Sequence, residues 1–155
     1  MSCEDVLDVQ PKYAASEATF WKTEKDVNAA VNGVYQGLHD RYTYDLFGML
    51  DVMTPIGHAR TVTPHNGIAS GVYDATNPII RNRWAACYRG IVRANDVLTN
   101  MDRAQMSDEV RNERRGETLF LRTFYYFNLI YMFGDVPLIL DVLSLDDPLP
   151  SRTSK

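Results

Sequence analysis

Apolar residues in the second half of the chain recur every three or four positions in two long runs, which is the spacing of amphipathic helices. The first run opens behind Pro78, and proline suits the first position of a helix because its missing N–H is not needed there. Its apolar stripe consists of Ile80, Trp84, Tyr88, Ile91, Ala94 and Leu98. Largely off the stripe are Arg81, Arg83, Arg89, Arg93 and Asp96. The pattern predicts a helix from Ile80 to Met101.

The second run is rich in aromatic residues and has clear ends. Ser107 followed by two acidic residues is typical of a helix N-terminus, and Gly134 with Pro137 behind it is typical of a C-terminus. The run therefore predicts a helix from Asp108 to Phe133. One face carries Leu121, Tyr125, Leu129 and Met132, and the flanks carry Phe120, Phe124, Phe127 and Tyr131. We expect both sides of this helix to be buried, with its aromatic residues in the core.

This second run is too short and too polar to cross a membrane. A bilayer takes about 20 consecutive apolar residues, whereas Arg122 and Asn128 interrupt the stretch from Leu119 to Phe133. Two long amphipathic helices joined by a short linker instead predict an antiparallel hairpin. Its expected core comprises Trp84, Tyr88, Ile91, Leu121, Phe124 and Leu129.

A helix is also predicted in the first half of the chain. Thr23 and Asp26 have the spacing of a capping box, which satisfies the first N–H groups of a helix. Helical spacing then continues to about Arg41 through Val27, Val31, Val34 and Leu38. Gly33 and Gly37 lie one turn apart, and each weakens a helix by about 1 kcal/mol, so we expect another helix to approach closely there.

Between these helices the periodicity is lost. A short helix is predicted from Leu46 to Met53, and the stretch from Thr54 to Pro78, rich in Gly, Pro, Thr and Asn, predicts a long, exposed, irregular loop. Loops of this length are usually functional or disordered. Together the elements predict an all-α fold of stacked antiparallel helical hairpins, followed after Gly134 by a short extended piece and a polar tail.

Composition excludes several classes of function. Sixteen basic against twenty acidic residues give a net charge of −4 without a basic cluster, so nucleic-acid binding is not expected. The length of 155 residues suits one domain. Cys3 and Cys87 are too few for a disulfide scaffold. Because Cys87 falls within an apolar helical pattern, we expect a buried, unreactive thiol.

Motifs of catalysis and metal binding do not stand out. No GxSxG, P-loop or dinucleotide-binding glycine pattern occurs, and no pair of acidic residues suggests the two carboxylates of a glycosidase. His58 and His65 share the loop, but no cysteine or spaced carboxylate accompanies them, so neither a metal nor another cofactor is expected. These observations favour a binding protein over an enzyme.

Two segments carry a family resemblance. "RWAACYRGIVRANDVLTNM" followed by "GETLFLRTFYYFNLIYMFGDVPLI" resembles the signature helices of the SusD/RagB family of bacterial outer-membrane nutrient-binding lipoproteins. The residues that carry it are Trp84, Tyr88, Ile91, Ala94, Asn95, Glu117, Phe120, Leu121, Arg122, Tyr126, Phe127 and the Gly-Asp-Val-Pro-Leu ending. "CEDVLDVQP", "ATFWKTEKDVNAAVNGVY" and "LPSRTS" fit the family's order of elements. Family members are typically several times longer, and Gly116 and Thr118 flank the glutamate where alanine is more usual.

The resemblance implies both a fold and a partner. It implies tetratricopeptide-like helical hairpins and a surface subunit that captures nutrients, usually glycans, for a TonB-dependent, SusC-like transporter barrel. It divides the chain into an N-terminal tether at residues 1–22 and, at 23–155, the helical N-terminal portion of a SusD-like domain whose C-terminal remainder is absent. Periodicity by itself leaves open a generic helical-repeat scaffold for protein partners.

The same resemblance implies a function for Cys3. In a lipoprotein the signal peptide is removed directly before a cysteine that is then acylated, and Cys3-Glu4-Asp5 resembles the acidic start of surface-exported members. Only Met1 and Ser2 precede this cysteine, so the signal segment is missing from this sequence. We expect lipidation at Cys3 and a surface-exposed position on the outer membrane. An ordinary terminal thiol is the alternative.

The long loop is the expected ligand site, because exposed irregular segments carry many binding residues. Sugar binding needs aromatic faces together with hydrogen-bonding side chains. The expected set comprises Tyr44 and Tyr73 as stacking platforms, with Arg60, His65, Asn66 and Asp74 as hydroxyl partners. A plain connector or a contact with the transporter is the alternative. In the signature helices, Glu117, Arg122 and Asn95 are expected to bond neighbouring charges or backbone groups rather than a ligand.

Overall fold

The structure, a computed structural model, describes residues 20–39, 50–57, 64–144, 146–148 and 150–154, without the side chains of residues 64–66. Its helices are α1 (Glu24–His39), α2 (Pro64–Ala69), α3 (Pro78–Asn100) and α4 (Asp108–Phe133). The 3-10 turn Met101–Arg103 joins α3 to α4, and the short strands β1 (Val136–Pro137) and β2 (Arg152–Thr153) pair antiparallel. Residues 50–52 are helical as well. The predicted all-α fold is confirmed.

The predicted hairpin of α3 and α4 is confirmed, and its helices begin and end where side chains satisfy the backbone. At the start of α3 the Asn77 side chain accepts a hydrogen bond from the Ile79 N–H at 3.0 Å. At the start of α4 the Ser107 hydroxyl accepts one from the Val110 N–H at 3.3 Å. Gly134, with φ of 70°, follows the last residue of α4. A left-handed residue at this position is a common helix end, and glycine adopts it without steric cost.

Two arginines at the start of α4 hold the turn that connects it to α3. Arg111 donates hydrogen bonds to the carbonyls of Met101 at 2.9 Å and Ala104 at 3.1 Å. One turn further along α4, Arg115 contacts the Asp102 carboxylate at 2.7 Å. The carbonyls of Met101 and Ala104, in the turn that follows α3, thus gain side-chain partners from the next helix.

The N-terminal helix α1 packs against both helices of the hairpin. Just before it, the Lys22 carbonyl accepts a hydrogen bond from the Gln105 N–H at 2.9 Å, which ties the start of α1 to the hairpin turn. The Asp26 carboxylate accepts the Thr23 N–H at 2.8 Å, as the predicted capping box requires. Hydrogen bonds, foremost from the Thr23 side chain, lower the pKa of Asp26. The predicted end of α1 near Arg41 lies outside the described residues.

The core lies where the three long helices meet. It includes Val27, Val31, Val34, Cys87, Ile91, Ala94, Val97, Leu121, Tyr125 and Leu129. Cys87 is fully buried as predicted, and burial raises the pKa of its thiol to about 11, which keeps it protonated. The predicted core residues Trp84, Tyr88 and Phe124 are only half-buried and pack at its edge.

Tyr125 of α4 occupies the centre of this junction. A side-chain carbon at Gly37 of α1 would collide with its hydroxyl, and one at Gly90 of α3 would collide with its ring. Its hydroxyl donates a 2.6 Å hydrogen bond to the Val34 carbonyl. The close approach predicted from the glycine pair is therefore correct for Gly37 but wrong for Gly33, beside which a side-chain carbon would meet nothing within 4 Å.

The prediction that both sides of α4 are buried is wrong. Phe120, Phe127 and Tyr131 are 68%, 62% and 70% exposed. The buried face of α4 consists of Thr118, Leu121, Tyr125, Tyr126, Asn128 and Leu129. Since Tyr125 touches α1 and α3 from this one face, the opposite aromatic side chains meet neither helix. These aromatic residues form a surface rather than a core.

A second correction concerns Arg83, for which the sequence pattern predicts a position largely off the apolar stripe of α3. Arg83 is 1% exposed and donates a 2.8 Å hydrogen bond to the Asn128 side-chain oxygen. The Asn128 amide in turn donates to the Phe124 carbonyl at 2.7 Å. A buried guanidinium needs such polar partners, and this explains the asparagine in the apolar run of α4. Within the described residues no helix is sufficiently long and apolar to cross a bilayer.

The stretch from Thr54 to Pro78 is not irregular throughout. It contains α2, whose Ile68 is buried and forms a small second cluster with Ile79 of α3. Val52, Ile80 and Met132 pack against this cluster. A helix of six residues shows too few repeats for its periodicity to be recognised, and Pro64 at its start and Gly67 within it are typical of loops.

The boundary of the predicted tether also needs correction. Trp21, placed in the tether at residues 1–22, is 5% exposed and belongs to the main core. Its φ of 64° lies in the left-handed region, which is unusual for a bulky residue. Burial of the indole ring offsets this backbone strain. The packed part of the chain therefore includes residues 20–22, with Phe20 in edge contact with Trp21 at 4.9 Å between ring centroids.

Two glycine substitutions test the Tyr125 junction. We expect Gly90→Ala to lower the free energy of unfolding by roughly 1–3 kcal/mol, because the added methyl group collides with the buried ring. Gly33→Ala is the matched control, since its methyl group meets open space, and it should raise stability by up to about 1 kcal/mol through better helix propensity. Urea unfolding of both variants measures the difference. Equal stabilities would contradict the described packing.

Candidate functional site

A group of buried and half-buried polar side chains fixes the segment that follows the hairpin, residues 138–141, which we name the strap. The Asn95 amide of α3 donates to the carbonyls of Ile139 and Asp141, both at 3.1 Å. The Asn95 oxygen accepts a 2.9 Å hydrogen bond from Arg122 of α4, which also donates to the Leu140 carbonyl at 3.1 Å. Three successive strap carbonyls are thus bonded by two side chains.

Two tyrosines complete the attachment of the strap. The Tyr126 hydroxyl donates to the Ile139 carbonyl at 2.9 Å and accepts from its N–H at 2.7 Å. The Tyr88 hydroxyl donates at 2.8 Å to the carbonyl of Pro137, the residue directly before the strap. Burial raises the pKa of Tyr126 and raises that of Tyr88 to about 12, so both phenols stay protonated donors at neutral pH.

These contacts decide the roles of the signature polar residues. Asn95 and Arg122 bond backbone groups, as expected, but the groups belong to the strap and not to the hairpin helices. Glu117 accepts hydrogen bonds from Arg114 at 2.6 Å and from the Tyr35 hydroxyl of α1 at 2.8 Å. The expected pairing of Glu117 with a neighbouring charge is confirmed. All three side chains stabilise the fold and leave the ligand site to be sought elsewhere.

A surface cavity of about 470 Å³ lies between the end of α4 and the segments that precede α3. It is lined by Leu50, Met53, Thr54, Ile68, Tyr73, Ile80, Tyr131, Met132 and Phe133. Its volume is within the usual range for small-molecule sites. Polar side chains in this lining are Thr54 and the two tyrosines, and both tyrosine rings are substantially exposed. The cavity thus offers aromatic surface with few hydrogen-bonding groups.

Of the six predicted ligand residues, Tyr73 and Asp74 have described side chains, and the structure brings Tyr73 to this cavity. Tyr73 lines it, with 46% of its surface exposed. The backbone of His65 and Asn66 belongs to α2, but their side chains lie outside the described part, as do Tyr44 and Arg60. The set as a whole therefore stays a prediction.

Asp74, the remaining predicted ligand residue, has a local role. Its carboxylate accepts hydrogen bonds from the Thr76 hydroxyl at 2.6 Å and the Thr76 N–H at 2.8 Å. These bonds, foremost that from the hydroxyl, lower the pKa of Asp74. Side-chain bonds of this kind stabilise turns, so this carboxylate shapes the approach to α3. Among the described side chains, no three His, Cys, Asp or Glu residues cluster as metal ligands would.

Sequence reasoning overlooked Tyr131 as a member of the cavity, because it assigned all aromatic residues of α4 to the core. The rings of Phe127 and Tyr131 stack with centroids 6.2 Å apart and an interplanar angle of 20°. The angular positions of the residues around α4 would have indicated that these two rings lie off the buried face. At about 100° per residue, Phe127 and Tyr131 fall on a different side from Leu121, Tyr125 and Leu129.

Comparison with known proteins decides the family of this three-helix unit and its strap. The SusD-like family profile described as "Starch-binding associating with outer membrane" matches residues 5–149. This chain belongs to the SusD-like family. The resemblance carried by the two signature helices is confirmed. Of the residues that carry it, Ile91, Ala94 and Leu121 lie in the core, and Asn95, Arg122 and Tyr126 bond the strap, whereas Phe120 and Phe127 are exposed.

Similar proteins include two from Formosa agariphila. SusD-like protein P25 is 27% identical over 158 residues, covering 94% of this chain and 30% of that protein. SusD-like protein P38 is 26% identical over 157 residues, covering 99% of this chain and 31% of that protein. This chain thus spans less than a third of the length of the SusD-like relatives it matches.

Two crystal structures of proteins from Bacteroides fragilis share the fold. A SusD-like carbohydrate-binding protein has a TM-score of 0.70 and 24% identity, with 88% of this chain and 29% of that chain covered. A further SusD-like protein has a TM-score of 0.71 and 21% identity, with 90% of this chain and 27% of that chain covered. The tetratricopeptide-like helical architecture predicted for this chain is therefore confirmed.

Removal of the Asn95 amide tests the role of the strap contacts. Asn95→Ala removes the donor to the Ile139 and Asp141 carbonyls and one of the two acceptors of Arg122, so we expect a loss of about 1–3 kcal/mol in the free energy of unfolding. Asn112→Ala, at an exposed position of α4, is the matched control and should change stability by less than about 0.5 kcal/mol. Urea unfolding provides the measurement. An Asn95 variant as stable as the control would contradict a structural role for this amide.

Proposed function

We propose that this chain is part of a surface glycan-binding subunit that delivers its ligand to a TonB-dependent, SusC-like transporter of the outer membrane. The observation that carries the proposal is the match of residues 5–149 to a family profile described as starch-binding and associating with the outer membrane. We propose a non-catalytic role, which the same match supports. Within this proposal, the protein captures an oligosaccharide and does not cleave it.

The cavity lined by Tyr73 and Tyr131 is the proposed contact with the glycan. Sugar rings expose C–H faces that stack on aromatic side chains, while their hydroxyls need hydrogen-bonding partners. Tyr73 and Tyr131 supply aromatic surface at this cavity, and Thr54 supplies a hydroxyl. The proposed hydroxyl partners from the neighbouring loop are Arg60, His65, Asn66 and Asp74, with Tyr44 as a further platform.

A helical scaffold for protein partners is the second candidate function. The exposed aromatic side chains of α4 favour it, since a plain surface rarely carries several such residues together. The two candidates differ in what they bind. A glycan-binding subunit is retarded by a polysaccharide matrix, whereas a protein scaffold migrates through it unchanged.

Substitutions at Tyr73 test the proposed glycan contact. Titration calorimetry of this chain with maltoheptaose should show affinity weakened about tenfold by Tyr73→Ala, equivalent to about 1.4 kcal/mol, because a stacking face is lost. Tyr73→Phe keeps the ring and should lose less, and Asn66→Ala should also weaken binding. Val72→Ala changes an exposed neighbour and serves as the control. All four variants should keep the original melting temperature.

Two outcomes would count against the glycan proposal in different ways. Unchanged affinity in the Tyr73 and Asn66 variants would move the site elsewhere on the protein. Free migration of the chain through native gels that contain amylopectin, laminarin or xylan would reject glycan binding by this chain.

We further propose that Cys3 carries acyl chains that anchor the protein in the outer membrane, with the residues before Phe20 as a tether. The family's association with the outer membrane supports an anchor, and two acyl chains give stable attachment where one gives only marginal binding. The described residues begin at Phe20, which packs with Trp21 in the main core, and residues 1–19 are the proposed tether.

Replacing the thiol tests this anchor. The chain is expressed behind a lipoprotein signal peptide, and cells are labelled with an alkyne fatty acid. We expect the wild type to incorporate the label and to sediment with outer membranes, and Cys3→Ala to do neither, while Cys87→Ala keeps both properties because that thiol is buried. Membrane sedimentation of Cys3→Ala in cells that lack the transporter would contradict a lipid anchor.

A further inference from the structure

The cavity that Tyr73 lines has apolar side chains at its base. Ile68 of α2 is buried, and Ile80 of α3 and Met132 of α4 are half-buried and pack against the cluster that Ile68 forms with Ile79. Ile68, Ile80 and Met132 all line the cavity, and we name them the cavity floor. A ligand group that reaches this floor meets apolar side chains from three helices.

The mouth of the cavity differs from its floor because it carries hydroxyl groups. Tyr73, Tyr131 and Met53 line the cavity and are substantially exposed. A phenol hydroxyl can donate a hydrogen bond to a ligand oxygen. The Thr54 hydroxyl already donates to the Asp51 carbonyl at 2.8 Å, so its proton is engaged within the protein. The two phenols are therefore the hydrogen-bond donors that the described side chains offer to a ligand here.

The lining favours a neutral ligand with an apolar substituent. Among the described residues that line the cavity, none carries a charged side chain, whereas carboxylated and sulfated sugars are best bound by charged donors. An unsubstituted sugar also suits the floor poorly, because each hydroxyl buried there without a partner loses its hydrogen bonds to water. A sugar ring therefore suits the mouth, and an apolar substituent suits the floor.

We propose that this cavity receives the acetyl group of an O-acetylated sugar unit, with the sugar ring at Tyr73 and Tyr131. This assignment rests on the proposed glycan-binding function and adds the substituent that the site selects. The methyl group of an acetyl ester gains from contact with the apolar floor. Its carbonyl oxygen accepts a hydrogen bond, as a phenol beside the floor can provide, and the ester has no proton that would need an acceptor.

The size of the cavity agrees with such a ligand. Its volume of about 470 Å³ lies within the range of sites that enclose small molecules. The proposed hydroxyl partners of the glycan, Arg60, His65, Asn66 and Asp74, are not part of the described lining. The sugar hydroxyls and the ester thus have separate sets of partners.

Oligosaccharides that differ only in their esters test the assignment. The backbone is maltoheptaose, laminarihexaose or xylohexaose, according to whether amylopectin, laminarin or xylan retards the chain in native gels. It is lightly acetylated, the products are separated by chromatography, and part of each is deacetylated with mild alkali. In titration calorimetry, the best-bound acetylated product should bind this chain at least about threefold more tightly than its deacetylated form, because burial of a methyl group contributes about this factor.

Polar substitutions in the lining locate the effect. Met132→Gln places an amide of similar length at the floor and should bring the ratio of the two affinities close to one, while binding of the deacetylated form changes by less than about twofold. Met53→Gln, at an exposed position of the mouth, should also lower the ratio and keeps the test decisive if Met132→Gln does not fold. Val92→Gln introduces the same side chain at an exposed position of α3 outside the cavity and should keep the full ratio. Thermal melting shows which variants are folded.

The failure of this assignment is distinct from the failure of the proposed function. Equal affinities of the unsubstituted chain for the acetylated and deacetylated forms would overturn the acetyl site and leave glycan binding in place. A preference for the acetylated form that survives unchanged in both folded methionine variants would assign the ester contact to another part of the chain and would also overturn it. Free migration of the chain in all three gels would reject glycan binding and the acetyl site together.

Discussion

The arrangement of the three long helices depends on one side chain, the phenol of Tyr125. It fits between α1 and α3 because Gly90 has no side chain against its ring and Gly37 has none against its hydroxyl. Its hydroxyl reaches across to the Val34 carbonyl in α1. A large aromatic ring that meets two glycines sets the distance between helices more tightly than aliphatic contacts would, since a packed interior tolerates little change in volume. The position of α1 on the hairpin, and the core beneath it, follow from this contact.

The strap depends on the hairpin in turn. Asn95 and Arg122 come from different helices and bond each other as well as the strap carbonyls, so they fit together only when α3 and α4 are in register. The residues of the family signature therefore serve largely to pack the helices and to bond the backbone. This explains how the signature identifies the family while giving no information about the ligand, which has to be recognised by exposed residues outside these contacts.

Helix ends and apolar faces were predictable from the sequence because they depend on local rules. Ser107 and Gly134 mark the ends of α4 through backbone bonding and backbone conformation that involve few neighbours. Tertiary contacts decided the rest. Arg83 is buried because Asn128 of another helix accepts its hydrogen bond, and Phe127 is exposed because neither α1 nor α3 covers its side of α4. For the candidate site, Tyr73 was predictable as an exposed aromatic residue in the loop, whereas its meeting with Tyr131 required the fold.

Tyr131 belongs both to the exposed aromatic side of α4 and to the tyrosine-lined cavity. The proposed ligand site therefore lies at the end of this helix. Both rest on a correctly assembled three-helix unit. Hydrogen exchange of Tyr125→Ala, compared with Tyr125→Phe, measures that assembly most directly. The account predicts that the alanine variant loses amide protection throughout Glu24–His39 while the phenylalanine variant keeps most of it. Undiminished protection of α1 in the alanine variant would contradict it.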